Sequence, residues 1–338
     1  MDLSILIVNW NSARYLKPCL ASVYREVKGI QFEVLVVDNA SYDGSAELIK
    51  ADFPQATFIQ SDKNLGFIGG NNFLSRHAKG RNILLLNPDT EIVGDAVQKM
   101  ASHLESLPLA GVIGCCLVNA DGSVQTNSMQ KFPTILNQVL DADFLQRRFP
   151  NSSLWNLRPL YEDADAPVEI ECVSGACLMV KRSLFQKVGL LSDDYVMYAD
   201  DLDLCAKVKK AGYRVYFSNQ WRVIHYGGRS TGSLQQGLRE VWMRDSVHKF
   251  LVKFRGPWYA GCYRATMAVV AVLRLTLIVF MRLLPSNASR RESLRYSATK
   301  WKRLFQWAVG LRGWAKKPGS RLASPPASGD RPSLVGRV

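Results

Sequence analysis

"NILLLNPDTEI", residues 82–92, decides how this chain is read. Ile83 to Leu86 make an apolar run of strand length that stops at Asn87, Pro88 and Asp89. Such a run, with no polar alternation, is the pattern of a strand covered on both faces. Asn, Pro and Asp are also common turn formers. The stretch by itself therefore fits a plain strand and turn, or a strand that holds a carboxylate at its end.

The flanking sequence separates these readings. "LSILIVN" (3–9), "FEVLVVD" (32–38) and "ATFIQ" (56–60) are three more strands, and helical patterns at 12–27, 43–52 and 70–79 lie between them. Helices alternating with buried strands predict an α/β fold with a mainly parallel, doubly wound sheet. In such sheets ligands bind beyond the carboxyl ends of the strands. Those ends carry Asn9, Asp38 and Asp89, with the glycine-rich loop "DKNLGFIGGNN" (62–72) beside them. Unrelated turns do not account for that convergence. Further on, 110–118 and 173–180 read as strands and 183–189 as a short helix. "YVMYADDLDLCAKVKKAGYRVYF" (195–217) reads as an acidic turn, a helix to Lys210 and a strand. Between residues 118 and 173, Pro133, Pro150, Pro159 and Pro167 mark a variable insertion.

Charge is unevenly placed. The whole chain of 338 residues carries +14, yet residues 251–338 hold 17 Lys and Arg against 2 Asp and Glu, leaving residues 1–250 near neutrality. A basic C-terminal quarter suits anionic lipid or nucleic acid. Seven cysteines, with no CxxC spacing, predict reduced thiols in a cytosolic compartment rather than a disulfide framework or zinc site. The N-terminal apolar run is too short for a signal peptide. "ATMAVVAVLRLTLIVFM" (265–281) has Arg274 at its centre, and Arg264, Arg274 and Arg282 fall on one helical face. The preferred expectation is an amphipathic helix in the membrane plane, with a single span as the second reading. A basic segment at 290–317, with Trp301, Trp307 and Trp314, suits a headgroup interface; helices packed on the rest of the protein are the alternative. Residues 318–338 have the composition of a disordered tail.

Each polar strand end has a bland and a chemical reading. Asp38 can accept hydrogen bonds from a nucleoside, or cap the next helix. Asp89 can hold a divalent metal against a diphosphate. Asp200, Asp201 and Asp203 open a helix, where the dipole favours acids, yet neighbouring carboxylates also raise one another's pKa as a general base requires. A lone His225 is more often a packed residue than a ligand.

Taken in order, "ILIVNWN", "VVDNASYDGS", "NLGFIGGNN", "LLLNPDT", "VSGACLMVKRSLFQKVG" and "YADDLDLCAKVKKAGY" followed by "VIHYGGRSTG" resemble the family 2 glycosyltransferases, closest to bacterial rhamnosyltransferases of cell-surface polysaccharides. The resemblance spans about residues 3–232. It implies a GT-A fold and an inverting, Mg²⁺- or Mn²⁺-dependent sugar transfer from a nucleotide-sugar, with dTDP-L-rhamnose as the expected donor and a UDP- or GDP-sugar as the alternative. It places Asn9 and Asp38 at the nucleoside and Asn64, Gly66, Gly70 and Asn71 around the donor. Asp89 falls on the last acid of the DxD metal motif and His225 on a metal-binding histidine. Asp201 falls on the catalytic base. Asn87 stands where the first DxD acid is usual, a departure common in the rhamnosyl branch, and Asp200 replaces a Glu.

The expected organisation is a GT-A domain at 1–232, a helical connector at 233–257, basic apolar membrane-associating helices at 258–317 and the tail. The expected partners are the nucleotide-sugar, a lipid-linked glycan acceptor and an anionic membrane surface at the cytoplasmic face of the inner membrane. A nucleic-acid-binding protein using the basic tail would leave the six motifs unexplained. A nucleotidyltransferase would need a basic glycine-rich N-terminal loop that "VNWNSARYL" does not supply. An inactive scaffold would not need Asp89, Asp201 and His225 together.

Overall fold

The computed structural model describes residues 1–125, 128–140, 148–149, 152, 164–195, 198–227, 236–283 and 287–311. The first half alternates as the apolar runs predict: β1 (Leu3–Asn9), α1 (Ala13–Glu26), β2 (Phe32–Asn39), α2 (Ser45–Asp52), β3 (Thr57–Ser61), α3 (Gly66–Ser75), β4 (Asn82–Leu86), β5 (Thr90–Ile92), α4 (Ala96–Ser106) and β6 (Ala110–Val118). Next come the short β7 (Met129–Gln130), α5 (Ile135–Leu140), β8 (Val168–Ile170) and β9 (Cys172–Val173), then β10 (Cys177–Lys181), α6 (Arg182–Lys187), α7 (Asp200–Lys210) and β11 (Arg214–His225). Three helices follow: α8 (Gln236–Arg255), α9 (Pro257–Leu283) and α10 (Ala288–Ala308).

The sheet runs in the order β3-β2-β1-β4-β10-β6-β11-β5, with β8 also paired to β11. β1 pairs in parallel with β2 and β4, and β2 with β3, as strands joined by crossover helices must. β10 enters antiparallel between β4 and β6, because it arrives from a turn rather than a crossover helix. Side chains of one strand alternate between two cores. Leu3, Ile5 and Ile7 face α1, α2 and α4, while Leu6 and Val8 face the layer that holds α3, α6 and α7. Burial on both faces is why the runs are continuously apolar.

Three local differences from the sequence reading have physical causes. The expected helix at 70–79 begins four residues earlier, since Gly66 takes φ +71° and turns the chain directly into it. The expected strand 173–180 breaks at 174–176 to form a turn, whose role appears below. The strand expected at the end of 195–217 is longer: β11 runs from Arg214 to His225 through an irregularity between Ser218 and Arg222.

The C-terminal helices join the second core through Val241, Phe250, Tyr263, Met267, Leu304 and Trp307. Two features expected at a lipid headgroup lie inside the protein instead. Trp307 is buried, donates from Nε1 to Asp245 Oδ1 at 3.1 Å and meets Tyr263 edge-on. Arg264 lies over Trp307, and Arg274 over Trp301, so two of the three aligned arginines face α10. The opposite face of α9 stays open, with Val269, Leu273, Leu277 and Phe280 half or more exposed. α9 is the one helix among the described residues long and apolar enough to cross a membrane. The expected tail at 318–338 and residues 126–127, 141–147, 150–151 and 153–163 of the insertion lie outside the described residues.

Candidate active site

Strand register builds the first wall. Asn9, Asp38 and Gln60 are paired positions at the ends of β1, β2 and β3. Their side chains form one chain of hydrogen bonds: Asn9 Nδ2 donates to Asp38 Oδ1 at 2.6 Å, and Gln60 Nε2 to Asp38 Oδ2 at 2.8 Å. The Ser41 backbone N–H adds a third bond to Asp38 at 2.9 Å. Asp38 thus binds its neighbours first, fully buried, and fixes the shape of the strand ends. Asn11 and Ala40, just past β1 and β2, hold positive φ, a strain that non-glycine residues tolerate mainly at functional sites.

The glycine-rich stretch forms the adjoining wall and divides its tasks. Asn64 Oδ1 accepts from Gly66 N at 2.8 Å and shapes the turn into α3. Asn71 is buried, with its Nδ2 on the Phe67 carbonyl. Gly70 does not line the crevice. A Cβ there would stand 2.7 Å from a Val8 methyl, so Gly70 lets α3 lie close on the sheet.

Beyond β4 the chain turns at Asn87–Pro88–Asp89. Asp89 is nearly buried, and its carbonyl accepts from Tyr226 N at 2.9 Å. The β5–β11 pairing sets Thr90 opposite His225, which brings His225 Nε2 to 3.5 Å from Asp89 Oδ1. That nitrogen is buried with no hydrogen-bond partner, as are Asn9 Oδ1 and Asn71 Oδ1. Buried orphaned acceptors are uncommon, and an imidazole nitrogen beside a carboxylate is a donor set that suits a divalent cation. Among the described residues no cluster of three or more His, Cys, Asp or Glu forms a closed metal cage. A cation held by these two residues would complete its shell with substrate oxygens and water.

The turn at 174–176 ties this edge to the acidic helix. Asn87 N donates to the Ala176 carbonyl at 2.9 Å, and Gly175 N donates to Asp201 Oδ2 at 3.2 Å. A Cβ on Gly175 would meet Asp201, Asp200 and Phe67 within 4 Å, so the turn, α7 and α3 converge there. Tyr198 and Ala199, both left-handed, deliver the chain into α7. Burial pushes the Asp201 carboxyl up against the opposing pull of hydrogen bonds from Gly175, Leu202 and Gln130. Burial and the Asp201 charge push Asp200 up to about 7. Asp203 turns inward instead. Burial opposes its charge, but Lys253 at 2.6 Å, Ser192 and Lys207 hold its pKa below the ordinary value.

The structure joins Asn9 to Asp38, sets Asp89 beside His225 and links Asn87 to Asp201 through the 174–176 turn. Asn64, Gly66 and Asn71 shape α3, and Gly70 packs it on the carboxyl edge of the sheet. Two residues that join these contacts had not been singled out: Gly175, inside an apolar run, and Gln60, at the end of a strand. A long polar residue closing an apolar run beside Asp38 was the available signal for Gln60.

The sequence from residue 4 to 189, more than half the chain, matches the family profile described as glycosyl transferase family 2. The chain belongs to glycosyl transferase family 2. Over 306 residues this glycosyltransferase is 25% identical to the N-acetylglucosaminyl-diphospho-decaprenol L-rhamnosyltransferase of Mycobacterium tuberculosis, covering 87% of this chain and 97% of that protein. It is 25% identical over 176 residues to rhamnosyltransferase WbbL of Escherichia coli K12, covering 51% and 62%. Its fold is similar to that of the mannosyltransferase PcManGT from Pyrobaculum calidifontis, solved in complex with GDP-Man and Mn²⁺. The TM-score is 0.56 at 18% identity, over 93% of this chain and 88% of that one. The polar strand ends and the half-buried Asp200–Asp201 pair thus sit on a GT-A sheet.

Proposed function

We propose that this glycosyltransferase moves L-rhamnose from dTDP-L-rhamnose, with inversion, to a lipid-linked or polysaccharide acceptor in cell-envelope glycan synthesis such as that of O-antigen. The observation that carries the reading is the convergence at Gly175, where Asp201 approaches the strand-end turn that bears Asp89. The rhamnosyltransferase names of two relatives support the sugar, and the diphospho-decaprenol acceptor in one of them supports a lipid-linked acceptor.

In this reading Asn9 and Asp38 form the nucleoside end, and Asn64, Gly66 and Asn71 flank the sugar diphosphate. Mg²⁺ or Mn²⁺, held by Asp89 and His225 when bound, would neutralise charge growing on the leaving diphosphate. Asn87 adds a neutral oxygen where a second acid would add charge. Asp201 accepts the proton of the acceptor hydroxyl as that oxygen attacks the anomeric carbon from the face opposite the diphosphate. The raised pKa of the pair makes Asp201 a better proton acceptor than an exposed carboxylate. A single displacement inverts the centre, so no second carboxylate nucleophile is required.

The first test is nucleoside-diphosphate release with purified protein and Mg²⁺ or Mn²⁺, from dTDP-L-rhamnose, UDP-sugars and GDP-mannose in turn. Metal-dependent turnover of dTDP-L-rhamnose, lowered at least 100-fold in Asp201→Asn, is the expected result. Turnover of only a UDP- or GDP-sugar overturns the sugar assignment. Full activity in Asp201→Asn overturns the base.

A lipid-linked acceptor sets the place of work at the cytoplasmic face of the inner membrane. The open apolar face of α9, beside a strongly basic chain end, supports peripheral binding to anionic lipid. Flotation with anionic vesicles is expected for the full chain, and Leu273→Lys with Phe280→Lys should abolish it. Flotation that survives the double substitution removes α9 as the contact.

A further inference from the structure

β6 ends at Val118 and the chain folds back on itself. Asn119 N donates to the Ser123 carbonyl at 2.8 Å, and Gln125 N to the Leu117 carbonyl at 2.9 Å. Asp121 Oδ1 accepts from Ser123 N and Gly122 takes φ +83°, which tightens the turn. The result is a rigid hairpin that presents the Gln125 side chain to the end of β11.

Gln125 grips His225 at both ends. Its Nε2 donates to the His225 backbone carbonyl at 2.5 Å and to Asn119 Oδ1 at 2.8 Å. Its Oε1 lies 2.9 Å from His225 Nδ1. A backbone carbonyl can only accept, so the NH₂ end of Gln125 must face it and the oxygen must face the ring. Nδ1 is then the protonated nitrogen, and the Nε2 lone pair is bare. That lone pair is buried without a partner, 3.5 Å from Asp89 Oδ1. A neutral ring held this way turns a lone pair toward the Asp89 carboxylate, and a cation between the two acceptors would satisfy both.

We propose that Gln125 is a positioning residue: it fixes the tautomer and ring angle of His225 so that Nε2 points, with Asp89, at the divalent cation. This rests on the reading of Asp89 and His225 as the cation's ligands. Outer partners of metal-bound histidines act in this way, and losing one weakens metal affinity about 10–100-fold.

The test has a metal-free and a metal-bound arm, both on the full chain. Two-bond ¹H–¹⁵N NMR at pH 8 without metal, with His225→Gln to assign the signal, should show the Nδ1–H form in the wild type. Gln125→Leu should give a mixture of tautomers or the Nε2–H form. Mn²⁺ affinity followed by EPR, with dTDP, UDP and GDP added in turn, should fall about 10–100-fold in Gln125→Leu. Gln125→Glu keeps an oxygen toward Nδ1 while giving up the bonds donated to the His225 carbonyl and Asn119, and should keep the Nδ1–H tautomer, which also covers a leucine variant that fails to fold. An Nε2–H wild type, or a folded leucine variant with unchanged tautomer and Mn²⁺ affinity, overturns the inference alone. A wild type in the Nδ1–H form that takes up no Mn²⁺ overturns the ligand reading and the inference with it.

Discussion

Asp201 and Asp203 stand two residues apart on the first turn of α7 and end in opposite surroundings. Asp203 points into the protein, fully buried, against Lys253 of α8, Lys207 of its own helix, Ser192 and Tyr195. Asp201 points into the crevice beside Asp200, held by neutral donors from Gly175, Gln130 and Leu202. Cations hold the first carboxylate below its ordinary pKa, while burial without a cation lifts the second above it. One turn of helix thus presents a carboxylate tied into ion pairs and a carboxylate left without a cation, the one proposed above as the base. Composition and helix dipole are shared, so the direction of the side chain is what separates them.

Substitution should separate the two roles cleanly. Asp201→Asn keeps its size and most of its neutral contacts, so the melting temperature should change little while turnover falls by about 10²–10⁴. Lys253→Ala strips the shortest ion pair from a fully buried charge that Lys207, Ser192 and Tyr195 still hold, and should cost about 1.5–3 kcal/mol of stability. Asp203→Asn should cost more than Lys253→Ala, because it leaves Lys207, itself largely buried, without its carboxylate. Calorimetry beside a donor-turnover assay checks all three. The contrast fails if Lys253→Ala melts like the wild type, or if Asp201→Asn is the variant that unfolds.

Much of this was legible from sequence, for reasons that differ by residue. Three of the four parallel strands were readable because burial on both faces forces a continuous apolar run at Leu3–Asn9, Phe32–Asn39 and Asn82–Leu86. Asp38 and Asp89 were readable because a polar residue ending such a run stands at the sheet's carboxyl edge. The break at Gly175 was hidden, since "VSGACLMV" carries apolar residues on both sides of it and its cause is a hydrogen bond to Asp201, 26 positions away. The inward turn of Asp203 was hidden for the same reason: Lys253 is 50 residues downstream. Trp307 shows the opposite error. Its place beside basic residues fits a headgroup interface, and the partner that claims it is Asp245 on another helix.

The glycines of α3 extend the comparison to neighbours in sequence. Gly69 and Gly70 are adjacent, yet an added Cβ at Gly69 meets only Leu65, at 3.3 Å, while at Gly70 it strikes both Val8 methyls inside 3.0 Å. Alanine favours a helix by about 0.8–1.0 kcal/mol over glycine, and overpacking costs about 1–3 kcal/mol. Gly69→Ala should therefore be neutral or slightly stabilising, and Gly70→Ala destabilising by about 1–2 kcal/mol, since only the second forces α3 off the sheet. Denaturant titration of the pair checks the sign. Equal effects would mean that close packing of α3 on β1 is not what Gly70 provides.

Asp200 offers the smallest and most specific contrast, because its charge is opposed where that of Asp203 is supported. Asp200 is raised from an ordinary value of 3.8 to about 7, by burial first and by the Asp201 charge second. Between those two values the folded protein binds more protons than the unfolded one, so this group's contribution to stability is complete below about 3.8 and is lost as pH rises through about 7. Asp203 runs the other way. Its stabilisation is present above the ordinary value and is lost as pH falls through its lowered pKa. Asp200→Asn removes only the first dependence. It should therefore melt above the wild type at pH 8, by about 2 °C for each kcal/mol recovered, with the gap closing as pH falls toward 4. Melting curves at pH 4, 6 and 8 decide it: a gap that stays constant with pH would show that neither burial nor the Asp201 charge opposes the ionisation of Asp200.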